Sequence, residues 1–340
     1  MDNLEKLGSS EYGSDRNGMI CGYVFRPGER ASAINSDDIA QELGSTRSDG
    51  TFFWLHFSLA NSSTERWLRS FGGLPNAFYE GLRAHSNATR VEQDGDALVA
   101  VINDVLFDFH YESSAVSTTT LAVRPGVMIS ARLKPLRSID RLRESVKAGL
   151  ICGSPVQLLA RLLQNQADVL VDVVRRSGDQ VDKIEDSVLV SRIAGHRVEL
   201  SALRRLLVRL ERLLAPEPAA LFRLLSRPPT WISEFDLAAL RQSAEEFTAV
   251  VADCTALVER AKLIQEELAA MATEQTNRSL FVLTFVTVLL LPFNVVGGLF
   301  GMNVGGIPFA TNAYGFWVII LFVCALTACV TCFILRHFRR

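Results

Sequence analysis

The sequence predicts an α+β cytosolic domain that is followed by long helices and by two C-terminal transmembrane helices. Three observations predict this order. Short apolar runs separated by turn residues fill residues 19–150, and apolar residues at helical spacing fill residues 156–278. From Ser279 to Leu335 the chain contains no Asp, Glu, Lys, Arg or His, which is the composition of membrane-spanning segments.

Residues 1–18 are polar and are predicted to form a mobile N-terminus, and residues 19–150 are predicted to form a cytosolic α/β domain. Strands are expected at residues 19–26 and 51–59, and hairpins at the turns Asp94-Gly95-Asp96 and Arg124-Pro125-Gly126. Helices are expected at residues 63–71, 75–84 and 135–147. Because hairpins join antiparallel strands, the sheet should be mixed or antiparallel rather than doubly wound.

Residues 151–232 are predicted to form a cytosolic helical hairpin, because apolar residues recur at helical spacing over residues 156–190 and 198–214. Gly195 is expected to separate the two helices. The acidic side chains of the first helix are interpreted as a solvated face: Asp168, Asp172, Asp179, Asp182, Glu185 and Asp186. Four prolines are then expected to break the chain: Pro216, Pro218, Pro228 and Pro229.

Residues 233–300 are predicted to form one long stalk helix that continues into the first transmembrane helix at about residues 280–300. Ser233 is a suitable N-cap, and neither Pro nor Gly follows until Pro292, which would kink the helix. At about 1.5 Å per residue the helix would be roughly 100 Å long, so it would couple the cytosolic domain mechanically to the membrane.

The uncharged segments at residues 280–300 and 314–335 are each long enough to cross a hydrocarbon core of about 30 Å. Arg278 precedes the first segment, and a basic tail at residues 336–340 follows the second. The positive-inside rule then places both termini in the cytoplasm and the loop at residues 301–313 outside, as in a two-pass protein of a bacterial inner (plasma) membrane. A buried helical hairpin of a soluble protein is the alternative.

Composition excludes several other classes of function. The formal net charge of −2, with three arginines in the tail, leaves the cytosolic part mildly acidic, which argues against nucleic-acid partners. The six cysteines and five histidines lack the spacing of a disulfide framework or a structural zinc site. His56 and His110 lie in strand-like runs and are interpreted as structural residues. No catalytic motif is present, so an enzyme is not expected and no cofactor is predicted.

One chain with two spans cannot enclose a pore, so a transport function requires a ring of subunits. One face of the first span carries residues spaced by three or four positions, and these are the predicted pore-lining residues: Asn277, Leu280, Thr284, Thr287, Leu291, Asn294 and Gly298. Asn and Thr inside a membrane are unfavourable against lipid, and they suit either a water-filled path or hydrogen bonds to a neighbouring helix. Both readings remain open on the sequence alone.

The triplet Gly301-Met302-Asn303 closes the first of the two spans, after a long cytosolic helix and an α/β domain. In this position the triplet resembles the GMN motif of the CorA family of divalent-cation transporters. The continuation Val304-Gly305-Gly306-Ile307-Pro308 is similar to the zinc-associated ZntB branch, whereas the magnesium branch typically has a Met-Pro-Glu stretch there. No acidic residue occurs in this loop.

The resemblance implies a funnel-shaped homopentamer whose pore is lined by the first span, with the GMN motif as the outer ion-binding ring. It implies that Asn303 presents side-chain oxygen atoms to the ion, and that Gly301 and Met302 shape the turn. Neutral oxygen ligands suit hydrated ions, whereas bare zinc prefers nitrogen and sulfur, so the expectation of zinc rests on the resemblance alone. The expected partners are further copies of the chain, divalent ions and membrane lipids.

The predicted function is transport of Zn²⁺, with Mg²⁺, Co²⁺, Ni²⁺ and Cd²⁺ as further candidate ions. A divalent ion gains about 4.6 kcal/mol per 100 mV on entering a negative interior, so a passive path favours uptake. If protons are coupled, the cytosolic acids Glu266, Glu267 and Glu274 are candidates, although they suit a solvated helix surface equally. The alternatives are a CorA-type Mg²⁺/Co²⁺ channel and a membrane-anchored scaffold or signalling protein.

Overall fold

The computed structural model describes residues 13–39, 41–42, 50–83, 89–106, 116–189, 193–302 and 314–338. The chain divides into two compact units, Met1–Gln265 and Glu266–Arg340. The first contains a sheet and its covering helices, and the second contains the apolar C-terminal segments. His110, and Asn303 with the rest of the loop up to residue 313, lie outside the described residues, as do residues 1–12.

A seven-stranded mixed sheet is the centre of the first unit. Its strands are β1 (Met19–Phe25), β2 (Ser32–Ala33), β3 (Phe52–Ser58), β4 (Arg90–Asp94), β5 (Ala97–Val105), β6 (Val116–Arg124) and β7 (Val127–Arg132). They are ordered β2-β1-β3-β7-β6-β5-β4. Only the β3–β7 pair is parallel among these neighbours. The prediction of a mixed rather than doubly wound sheet is therefore confirmed.

Both predicted hairpin turns are present. Arg124 pairs with Val127, which leaves Pro125 and Gly126 as the loop, and Gly126 has a φ of +80°. Proline followed by a glycine with positive φ is the preference of a type II turn. In the other hairpin Asp94 pairs with Ala97, so the loop consists of Gly95 and Asp96. The turn chemistry thus sets the register of both strand pairs.

Alternate residues of the sheet point to two separate cores, as the two-residue period of a strand requires. Trp54 of β3 packs in a core with Ile139 and Leu158, while Leu55 packs in the other core with Phe78. The helices beside the sheet are α1 (Thr64–Phe71), α2 (Asn76–Arg83), α3 (Arg137–Lys147) and α4 (Pro155–Leu189). Both faces of the sheet are therefore covered, giving a three-layered first unit.

The helices after α4 differ from the prediction in two places. They are α5 (Ile193–Leu214) and α6 (Pro216–Ser226). Gly195 lies inside α5 and does not separate two helices, since one glycine costs a helix only about 1 kcal/mol relative to alanine. The predicted break at Pro216 is present, since α5 ends at Leu214. A further helix follows it, however: Pro216 and Pro218 open α6, because the first helical turn has no internal acceptor for its N–H groups.

The stalk helix α7 runs from Glu234 to Phe300 and includes Pro292. The Ser233 hydroxyl oxygen accepts a hydrogen bond from the backbone N–H of Asp236 at 3.1 Å, which confirms the predicted N-cap. Apolar residues of α7 are buried within the first unit, for example Phe247 and Ala261.

Beyond the loop, the final helix α8 runs from Gly315 to Phe338. Within the described part of the chain, α7 and α8 are the two helices long and apolar enough to cross a membrane. The most apolar part of α7 is not buried at all, and that of α8 is only 11% buried. This exposure does not fit the alternative of a helical hairpin in a soluble core.

Candidate functional site

The face predicted to line a pore lies on an exposed side of α7. Its members all have exposed side chains or backbones in the single chain: Asn277, Leu280, Thr284, Thr287, Leu291, Asn294 and Gly298. At 100° per residue they fall within roughly 60° of one line along the helix. Because α7 is continuous, this spacing places the seven residues in one stripe along the span. The Asn and Thr members carry side-chain oxygen atoms and the others are apolar or glycine. We call these seven residues the oxygen stripe.

A different side of the same helix is covered inside the second unit. The partly buried positions of the span are Phe285, Val288, Leu289, Pro292 and Val296. They are centred roughly 130° around the helix from the oxygen stripe. The oxygen stripe is therefore not a packing face within one chain. It is available to other copies of the chain or to water.

Two hydroxyl groups near and within the span, those of Ser279 and Thr287, are satisfied as donors by their own helix. Thr287 donates to the carbonyl oxygen of Leu283 at 2.8 Å, and Ser279 donates to that of Gln275 at 3.0 Å. A hydroxyl that donates to its own helix keeps lone pairs for an incoming donor, such as a water molecule bound to a metal ion. The Thr287 hydroxyl therefore needs no hydrogen-bond acceptor on a neighbouring helix.

The outer end of α7 is described up to Met302. Gly301 donates its N–H to the carbonyl oxygen of Gly297 at 2.9 Å, and a Cβ at Gly301 would lie 2.9 Å from that same oxygen. Any larger residue at this position would push against the last helical turn. Glycine is thus required where the helix ends, just before Asn303.

The three cytosolic acids proposed for metal or proton binding, Glu266, Glu267 and Glu274, are exposed on α7. Among the described residues no group of three or more His, Cys, Asp and Glu side chains could hold a metal ion. Within a single chain these acids form a solvated surface. A role in metal sensing would require ligands from another copy.

His56 is held as a structural residue, as the sequence predicts. Its Nδ1 lies 2.8 Å from the Ser130 hydroxyl, and Arg132 donates from Nε to Nε2 at 2.9 Å. Burial, reinforced by the nearby Arg132 charge, holds the pKa of His56 well below its usual value. The ring is neutral with both nitrogens occupied, so it has no lone pair left for a metal.

A second buried polar group was not predicted from the sequence. Glu217 in the first turn of α6 is fully buried, and its Oε2 accepts a hydrogen bond from Gln166 at 3.2 Å. Gln166 also donates to the backbone oxygen of Asn103. Glu217 lies between two prolines, where the sequence predicts an interruption of the helix, so nothing in the local pattern indicates its burial.

Comparison with known proteins identifies the relatives of this chain. The family model described as "CorA-like Mg2+ transporter protein" matches residues 49–340. The divalent cation transporter CmaX of Pseudomonas aeruginosa is 28% identical over 316 residues, covering 91% of this chain and 93% of CmaX. The zinc transport protein ZntB of Yersinia enterocolitica is 23% identical over 263 residues, covering 77% of this chain and 80% of ZntB.

The solved structure of the full-length CmaX protein has a similar fold. It superimposes with a TM-score of 0.81 at 25% sequence identity, and the match covers 96% of this chain and 100% of that one. The likeness extends from the sheet to the C-terminal helices. The match includes both the first unit and the apolar segments that the sequence predicts to cross a membrane.

Proposed function

The chain belongs to the family of CorA-like Mg²⁺ transporter proteins, and we propose that it carries zinc and other divalent cations across the bacterial inner membrane. Divalent-cation transport follows from the family. The zinc preference is supported by the similarity to ZntB and by the sequence that follows the GMN motif. Both termini are proposed to be cytoplasmic, because arginines flank the two spans at their terminal ends and the positive-inside rule favours the cytoplasm for such residues.

The observation that supports the transport path is the oxygen stripe of α7. It carries polar groups through an uncharged span on a face that the chain itself leaves uncovered. Two spans cannot enclose a pore, so several copies must bring their α7 helices together, and we propose a homopentamer. In that arrangement Thr284 and Thr287 would face the ion's water shell, and Leu280 and Leu291 would narrow the path.

At the outer mouth, Asn303 from each copy would contribute a side-chain oxygen. A ring of neutral oxygens attracts a hydrated cation without stripping its water, which allows the ion both to enter and to leave. Gly301 allows the helix to end at this point, since a larger residue would meet the carbonyl oxygen of Gly297. Uptake is the proposed direction, because the membrane potential favours entry of a divalent cation.

The second candidate is a Mg²⁺/Co²⁺ channel, which the description of the matching family model favours. The absence of an acidic residue in the loop after the motif favours zinc instead. Proton coupling, if present, is proposed to use Glu266, Glu267 and Glu274, because the spans contain no ionisable side chain between Ser279 and Leu335 other than cysteine and tyrosine.

Flux into liposomes tests this function. Purified protein is reconstituted with a zinc-sensitive dye inside, and Zn²⁺ is added outside with and without a pH gradient. We expect Asn303→Ala to lower the initial rate at least about tenfold, the equivalent of about 1.4 kcal/mol. Asn312→Ala makes the same chemical change in the same loop outside the motif, and it should leave the rate within about twofold.

The same liposomes separate the alternatives. Flux of Mg²⁺ or Co²⁺ without Zn²⁺ flux would assign the protein to the second candidate. A rate that depends on the pH gradient would support proton coupling. No flux of any divalent ion from a well-folded oligomer would contradict transport and favour the membrane-anchored scaffold.

A further inference from the structure

The first unit contains a cavity of about 1120 Å³ whose main wall is one face of α5. Four arginines line it: Arg204, Arg205, Arg209 and Arg212. The other lining residues are hydroxyl, amide or apolar groups: Thr89, Ser201, Val208, Leu213, Pro216 and Gln265. None of the residues that line the cavity in the described part of the chain is acidic.

The amphipathic pattern of α5 fixes the direction of these arginines. The lining positions follow one another at helical spacing from Ser201 to Arg212, so they share one side of the helix. The opposite side carries the buried leucines Leu203, Leu206, Leu207 and Leu210. Because the leucine face is anchored in the core, the arginines must point away from it and into the cavity.

No ion pair to another described residue neutralises the positive charge of this wall. None of the four guanidinium groups forms an ion pair with another described residue. Arg205 and Arg209 are four residues apart on one helix, a spacing at which like charges repel. A concave surface that gathers four like charges is stabilised by an anion that enters it.

Arg204 is also held in place with a free donor. Its Nη1 donates to Gln265 Oε1 at 2.7 Å, and Gln265 Nε2 donates to the Ser201 hydroxyl at 3.1 Å. The Nε–H of Arg204 is buried and has no hydrogen-bond partner among the described residues. The hydrogen bonds with Gln265 and Ser201 thus hold Arg204, and with it one positive charge, in the wall of the cavity. Because its Nε–H has no accessible surface, an anion in the cavity would be attracted by the charge of the guanidinium group rather than bound by this donor.

We propose that this cavity binds a polyphosphate anion, such as a nucleoside triphosphate or inorganic tripolyphosphate. Guanidinium groups bind phosphate oxygens in pairs, and several arginines in a row match several linked phosphates. Val208, Leu213 and Pro216 offer an apolar wall for an organic portion of the ligand. The volume is of the order of a small-molecule site, and its concave shape favours a small anion over the acidic surface of a second copy.

Binding is measured by calorimetry on the purified full-length protein without divalent metals, so the result is independent of transport. The probes are tripolyphosphate, ATP and adenosine. We expect tripolyphosphate and ATP to bind and adenosine alone not to bind. In the variant R205Q/R209Q/R212Q, the Kd for tripolyphosphate should rise at least about a hundredfold, since a lost charged contact costs about tenfold.

The matched control is R176Q/R223Q/R227Q, which removes the same charge from three exposed arginines that do not line the cavity. Its Kd should stay within about threefold of wild type. Tighter binding of ATP than of tripolyphosphate would identify a nucleotide site, and equal binding would identify a site for phosphates alone. The proposal is overturned if wild type does not bind either probe, or if both triple variants weaken binding equally. It is also overturned if the cavity variant changes only the oligomeric state, which would assign the arginines to a contact between copies.

Discussion

The first unit, here called the sheet unit, and the C-terminal helices place leucine in opposite surroundings, a closed core in the one and an exposed surface in the other. Leu55 of β3 is 0% exposed, whereas Leu321 of α8 is 72% exposed. The sheet unit covers its apolar surface with its own helices, on both faces of the sheet. The C-terminal helices leave theirs uncovered, as is typical of helices that cross a membrane.

Charged groups differ between the two regions as well: the sheet unit buries some of them, and the C-terminal spans contain none. The sheet unit buries Arg132 and Asp140 and pairs them at 3.5 Å, and Arg143 donates to the same carboxylate at 2.9 Å. The C-terminal spans carry no charge at all. A fold that can surround a charge with partners tolerates it inside, whereas lipid offers no such partners. The two regions are therefore stable in different solvents.

The largest expected effect comes from truncating the same side chain in both regions. Leu55→Ala should lower the free energy of unfolding by about 2–5 kcal/mol, because it leaves a cavity in a closed core. Leu321→Ala should change it by less than about 0.5 kcal/mol, because the side chain contacts no core. Thermal unfolding in detergent, followed by tryptophan fluorescence, compares the two variants. Equal losses would show that Leu321 packs against protein rather than lipid.

Introducing a carboxylate at an exposed leucine of each region tests whether the two surfaces face different solvents. The expected free-energy change is slightly smaller than that of Leu55→Ala. Leu321→Asp should disfavour membrane insertion by up to about 3 kcal/mol, because the carboxylate would enter hydrocarbon. Leu133→Asp, at a cytosolic position that is 58% exposed, should have little effect. The measurement is the fraction of each variant recovered in carbonate-washed membranes. If both variants insert like wild type, α8 does not face lipid at Leu321.

Much of the fold follows from local signals in the sequence. The positive φ of Gly126 after Pro125, and the Ser233 cap of α7, are local turn and helix-start chemistry that a sequence displays directly. The error at Gly195, and the helix α6 that the sequence did not predict, have the opposite cause. Whether a glycine or a proline ends a helix depends on the packing of its neighbours and on its place in the helix, which a sequence does not display.

Of the candidate site, the sequence predicts only which residues of α7 share a face. The oxygen stripe of α7 could be found because a continuous helix converts spacing into a face. Its surroundings could not be found, since the proposed pore would be formed together with other copies and Asn303 lies outside the described residues. The sequence does not indicate the arginines of α5 as a binding site, because a basic helix face has the same pattern as ordinary solvated surface. Only the cavity, and the lack of ion pairs between these arginines and other described residues, set them apart.

The smallest expected effect concerns Glu217, the buried acid of the sheet unit. Burial, with added repulsion from Asp104, raises the pKa of Glu217 well above its usual value, although the hydrogen bond from Gln166 opposes the shift. Above the pKa of the unfolded chain, near 4.5, the unfolded state loses the proton while the folded state keeps it. Wild-type stability should therefore fall as pH rises through this range.

Glu217→Gln removes this proton linkage while keeping the shape of the side chain. The variant should be about as stable as wild type at pH 4 and about 1 kcal/mol more stable at pH 8, the order of one hydrogen bond. Because Asp104 is present in both proteins, its own raised pKa of about 6 largely cancels in the difference. Glu245→Gln, at an exposed position of α7, is the control and should show no such trend. A difference that does not grow between pH 4 and pH 8 would mean that Glu217 is ionised in the folded protein, and that the sheet unit supplies it with a cation or water that offsets its burial.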